Sequence, residues 1–167
     1  MFPSNPYGSL NLFAPQMTFT DRAGSAVRIE GALINDECMA CTHVYVERFL
    51  QRHNATFNPG PWRTIPSPYL TYLEMVHAAK PAQAAHACDA GTFLGLLTHD
   101  SLATTLCRIP WAKVSDDVGL ASNLNTGPPY KNAPTTFTGN AGAHRITLVF
   151  IPVGGDWLID QVRYVST

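Results

Sequence analysis

The sequence predicts an α+β fold in which N-terminal helices pack against a curved antiparallel sheet that ends in a C-terminal hairpin. Three observations predict it. Apolar residues recur at the three-and-four spacing of a helix face over 35–53 and again from Tyr69 to Val76. The tail, HRITLVFIPVGGDWLIDQVRYVS, alternates at the period of a strand around Gly154–Gly155. Apolar residues make up 46% of 167, enough for one core. These place a single domain over 18–167, preceded by an N-terminal arm over 1–17.

The arm carries Pro3, Pro6 and Pro15 and reads as extended chain, because proline fixes its own torsion and restricts its predecessor. Thr18–Thr20 and Ala26–Glu30 flank DRAGS as a hairpin. Asn35 can then cap a helix running to about His53, with Asp36 and Glu37 in its first turn. Cys38, Cys41, Thr42, Tyr45, Val46 and Phe49 would form its buried face. The segment NATFNPGPWRTIPSP, with four prolines, interrupts regular structure. Ser67–Pro68 is a helix start, a capping hydroxyl followed by proline at the first helical position. Tyr69, Tyr72, Leu73 and Val76 make that helix's apolar side, and Pro81 is expected to end it before an alanine-rich helix at 82–90. A further helix precedes Pro110. Residues 121–143, rich in Pro, Gly, Asn and Thr, read as a long interaction loop.

In the closing hairpin a two-residue turn sets Ile151 opposite Leu158, Val149 opposite Asp160 and Thr147 opposite Val162. One face is then Ile146, Leu148, Phe150, Trp157 and Ile159, a core face. The other is Val149, Ile151, Leu158, Val162 and Tyr164, with Thr147 and Asp160 among them. Asp160 sits among apolar neighbours and calls for a donor, with Arg145 or Tyr164 as candidates.

The pattern Gly-x-Trp-x-Ile-Asp-x-Val-x-Tyr, carried by Trp157, Ile159, Asp160, Val162 and Tyr164, resembles the last strand of many nuclear-transport-factor-2-like proteins, the cystatin-like α+β cone. The likeness covers about the last 20 residues and the order of helices before sheet. It implies a curved antiparallel sheet wrapped around helices, often dimeric through the sheet. Members include isomerases, hydrolases, scaffold subunits, secretion-system components and toxin-immunity proteins. The Tyr and Asp set of the family's steroid isomerases is missing here, and no catalytic residue carries over.

Several chemistries are set aside on pattern. With Thr42 directly after Cys41, CMACTH lacks the His of a haem attachment motif. On a helix, His43 points away from both thiols, against a zinc site. Cys38 and Cys41 read as buried structural thiols; redox or metal roles, and a disulfide to Cys88 or Cys107, are the alternatives. His43 and Glu47, one helical turn apart, read as an exposed pair, and Asp100 as a helix cap. No phosphate loop, dinucleotide fingerprint, nucleophile elbow or metal-ligand spacing is present. Net charge is −1, with 8 Arg and 3 Lys scattered singly, so no nucleic-acid footprint appears. No apolar run reaches the roughly 18 residues of a membrane span, and the start lacks the charged and apolar regions of a signal peptide. The low lysine content and Thr/Pro-rich surface lean toward an extracytoplasmic or virion-like setting.

The leading expectation is a non-enzymatic interaction or assembly subunit that contacts other protein chains, as a homo-oligomer or in a larger assembly, through the arm and the 121–143 loop, with no cofactor. The alternative is a small-molecule carrier or acid/base enzyme of isomerase or hydrolase type, its pocket lined by Asp160, Tyr164, Trp157, Tyr69 and Tyr72. A toxin-neutralising immunity-type protein is the third.

Overall fold

A computed structural model of the chain describes residues 12–21, 24–33, 44–114 and 133–166. It is α+β, with antiparallel sheets and a C-terminal hairpin. Contacts gather into two compact units, Met1–Ile65 and Pro66–Thr167. The boundary falls inside the span read as one domain, within the proline-rich segment over 54–68.

The described part of the first unit is all strand. β1 (Leu12–Phe19), β2 (Ala26–Leu33), β3 (Tyr45–His53) and β4 (Thr56–Pro59) follow one another across an antiparallel sheet, and β5 (Arg63–Thr64) also pairs with β3. The hairpin around DRAGS is present, with Phe19 opposite Val27 and Gln16 opposite Glu30. The Asp21 side chain holds its turn by accepting from the Ser25 N–H (2.9 Å) and hydroxyl. Residues 12–17 of the expected arm are therefore sheet, and 1–11 lie outside the described residues. Pro15 is accommodated because β1 is an edge strand with an irregular register between Phe13 and Gln16.

The helix expected to reach His53 is corrected: 45–53 is strand. Val46, Arg48, Leu50 and Arg52 alternate with Tyr45, Glu47, Phe49 and Gln51. Each set mixes apolar and polar residues, so neither face stands out at period two, and Tyr45, Val46 and Phe49 happen to fit a helical stripe. Valine and aromatic side chains favour the pleated form. Asn35, Cys38, Cys41, Thr42 and His43 lie outside the described residues. The proline-rich segment also contains structure that was not expected, β4 and β5. A tight turn with Asn54 at φ 57° leads into β4, and asparagine is among the few residues that tolerate that conformation.

The second unit packs helices on a three-stranded sheet, β6 (Thr135–Ala141), β7 (His144–Val153) and β8 (Asp156–Ser166), in that order. α1 (Pro68–Ala84) starts where the sequence places it, with the Ser67 hydroxyl accepting from the Leu70 N–H at 3.0 Å. Tyr69, Tyr72, Met75, Val76 and Ala79 are its buried stripe. Pro81 does not end it. The helix runs one turn further, and residues 82–90 form no second helix. Gln83 holds that last turn: its Nε2 donates to the carbonyls of Cys107 (2.9 Å) and Ile109 (2.6 Å), and its Oε1 accepts from the Trp111 N–H (3.2 Å). The chain leaves α1 through His86 at φ 54°. α2 (Leu102–Leu106) lies where a helix before Pro110 is expected, although Asp100 makes no cap; Ser101 holds the capping position without a side-chain bond. A disulfide joins Cys88 to Cys107, so neither pairs with the cysteines of CMACTH.

The expected loop over 121–143 is partly sheet, since β6 occupies Thr135–Ala141; residues 115–132 lie outside the described residues. The β7–β8 hairpin turns at Gly154 and Gly155, both at positive φ (61° and 97°), as a two-residue turn of this kind requires. Ile146, Leu148, Phe150, Trp157 and Ile159 form the core face as expected, all buried.

Candidate functional site

The hairpin register holds as expected at Ile151–Leu158 and then shifts. Phe150 pairs with Ile159, but Val149 pairs with Gln161, so Asp160 is the extra residue of a β-bulge. A one-residue insertion moves every later side chain to the opposite face. Val162 and Tyr164 therefore line up with Leu148 and Ile146 on the core side, not with Val149 and Ile151. Tyr164 stacks on His144 at 4.7 Å between ring centroids, which fits that placement.

The donor to Asp160 is neither Arg145 nor Tyr164. Thr98 Oγ1 donates to Asp160 Oδ1 at 3.0 Å. The same segment joins the outer edge of β8: the Ile159 N–H donates to the Leu96 carbonyl (2.8 Å), and the Thr98 N–H to the Ile159 carbonyl (3.0 Å). The bulge and this short pairing together fix Asp160, half-buried, at the sheet edge. The remaining predicted residues sit elsewhere in the unit. Tyr72 is fully buried against Phe137, 4.8 Å between centroids. Tyr69 and Trp157 are buried too, and the Trp157 carbonyl accepts from Thr71 Oγ1 at 2.8 Å. Tyr69, Tyr72 and Trp157 are thus core side chains of the helix–sheet layer. One further carboxyl stands out. Glu74 of α1 keeps much of its surface in solvent, yet partial desolvation pushes it up from the usual carboxylate range, and the charge of Asp156 adds to the shift.

The sheet of the first unit has two chemically different faces. On one, Glu30 and Glu47 stand directly opposite each other, and Arg28 bridges them at 2.7 and 2.6 Å. Glu47 is therefore a partner of Arg28; His43, with which it was expected to pair, lies outside the described residues. Arg63, opposite Glu47, completes a charge-balanced face and lies over the Phe49 ring at 5.8 Å. The other face is built of cross-strand rows: Met17–Ile29–Arg48, Phe19–Val27–Leu50–Pro59 and Arg52–Phe57. At the β1 edge Met17 is 75% exposed and Phe19 66%, and Phe57 is exposed on β4. Arg48 lies over the Trp62 ring at 4.6 Å, its Nε buried and without a hydrogen bond among the described residues.

Sequence reasoning missed this face. Its signal was the alternation of Met17 with Phe19 and of Val27 with Ile29, hidden by reading 12–17 as arm and 45–53 as helix.

Among the described residues no group of three or more His, Cys, Asp or Glu is placed to hold a metal ion, and no helix is long and apolar enough to cross a membrane. Comparison of the chain with protein-family models, curated proteins and solved structures gives no match.

Proposed function

We propose that the chain is a non-enzymatic interaction or assembly subunit whose contact surface is the apolar face of its N-terminal sheet and the β1 edge, which no other described strand pairs with. One observation carries this reading: Met17 and Phe19 project from an edge strand into solvent, side by side on one face. An edge strand presents unpaired backbone groups along its length. β1 has no charged residue to discourage pairing; its protective devices, Pro15 and the irregular register between Phe13 and Gln16, both lie before Met17. Covering a Met or Phe side chain completely stabilises a complex by about 1.5–3 kcal/mol each. The Cys88–Cys107 bridge supports an extracytoplasmic setting for the assembly, since structural disulfides persist in oxidising compartments.

Native mass spectrometry of the protein purified from its source, at low activation energy, tests the proposal. The expected result is a homo-oligomer or a tightly held second chain, lost in the Met17→Asp/Phe19→Asp variant. A monomer in both forms overturns it.

A second reading, an acid/base or carrier site, has one observation in its favour: a half-buried carboxylate, Asp160, at a bulge, and bulges are over-represented next to active sites. The nuclear-transport-factor-2-like resemblance is kept as a proposal for the unit Pro66–Thr167, where helix precedes sheet. A small-molecule adduct in the same spectra, abolished by Asp160→Asn, would favour this second reading.

A further inference from the structure

We infer that the apolar face of the N-terminal sheet docks an acidic, amphipathic segment of a partner protein, its apolar side chains on Met17, Phe19, Ile29 and Leu50 and its carboxylates on Arg48 and Arg52. The inference rests on the interaction reading above and names the chemistry of the partner. Its basis is charge. On the opposite face of the sheet each cation stands beside an acid: Arg28 bridges Glu30 and Glu47, and Arg63 faces Glu47. The apolar face has two cations and no acid in any of its described strand positions. Arg48 and Arg52 make no ion pair among the described residues. Arg48 rests on Trp62, and Arg52 Nε donates to the Asn54 carbonyl at 3.0 Å. Arginine bound this way still has guanidinium donors in a fork that matches a carboxylate.

The geometry suits a segment lying across the strands. Arg48 ends the row that begins at Met17, two strand spacings away, roughly 10 Å. Arg52, four residues further along β3, lies beside the exposed Phe57. Apolar contacts at the β1 side and charged contacts at the β3 side thus define one amphipathic footprint. A nucleic acid or an anionic membrane offers the same negative charge. Two arginines on a chain of net charge −1 are too few for the phosphate contacts on which nucleic-acid affinity rests. An anionic leaflet likewise attracts clusters of four or more cations.

The test is fluorescence anisotropy of the full chain with a labelled synthetic peptide of alternating leucine and glutamate. Controls are the same peptide with glutamine for glutamate, a labelled oligothymidylate, and vesicles containing phosphatidylserine. The expected result is binding of the acidic peptide, weakened about fivefold by the glutamine replacement or by Arg48→Gln/Arg52→Gln, and by raised salt. Met17→Asp/Phe19→Asp should abolish binding of both peptides. Arg52→Gln alone, at an exposed position, should weaken binding without touching the fold, so a misfolded double variant does not decide the outcome. Equal affinity for both peptides overturns the acidic preference and leaves the interaction reading standing. No binding of either peptide up to about 1 mM overturns the docking inference itself; the interaction reading is then judged by the native spectra. Tighter binding to the oligothymidylate or the vesicles overturns the protein partner in favour of that anion.

Discussion

His86 sits at φ 54° just past the end of α1, where a helix C-terminus most often carries glycine. A side chain with a β-carbon is disfavoured there by roughly 1 kcal/mol. His86→Gly should therefore raise stability to denaturant by about that amount, read as a higher urea midpoint at unchanged slope. Glu74 gives a pH-dependent effect. Its pKa is raised in the folded state by burial and then by Asp156, so the folded state binds the proton more tightly than the unfolded chain. Stability is then lost as pH rises from the ordinary glutamate value toward the raised one. Glu74→Gln should remove that loss: its melting temperature should exceed that of the wild type at pH 7, and the gap should narrow near pH 4. Asp160 shows a different residue-scale principle. Its donor, Thr98, is 62 residues away in sequence, and a bulge set which side chains share its face, so neither was readable from neighbours in the hairpin.

At the scale of elements, the ones with self-contained chemical signals were legible. Ser67–Pro68 starts α1 by a local hydroxyl cap, and Gly154–Gly155 turns the last hairpin by a torsion that glycine adopts freely. The core face from Ile146 to Ile159 followed from alternation alone. What failed depended on tertiary context. β3 has mixed faces because one side holds Arg48 on Trp62 and the other holds the Arg28–Glu30–Glu47 cluster, and the resulting pattern imitates a helix. Pro81 stays inside α1 although proline forfeits a helical hydrogen bond, because Gln83 anchors the turn that follows to backbone groups of 107–111. The Cys88–Cys107 bridge, 19 residues in separation, encloses α2 and the segment that pairs with β8. In the chain-entropy account, closing such a loop contributes about 3 kcal/mol. Cys88→Ser/Cys107→Ser should lose stability of that order in denaturant melts, with faster hydrogen exchange first appearing over 96–98.

For the whole molecule, the fold class was legible and the division of labour between its parts was not. The second unit buries Tyr72, Phe93, Trp111 and Phe137 in a helix–sheet core and exposes Leu94, Val153 and Val165 only at separate positions. The first unit, in its described strands, leaves Met17, Phe19 and Phe57 exposed on a face whose charges are all positive. That contrast is why the account places recognition in the N-terminal sheet and stability in the C-terminal unit. Hydrogen–deuterium exchange, comparing the assembled protein from its source with the isolated chain, tests this most directly. The account predicts slowed exchange over 12–20 on assembly, with little change over 144–166. Unchanged exchange over 12–20, with new protection at 158–162 and 96–98 around Asp160, would contradict it.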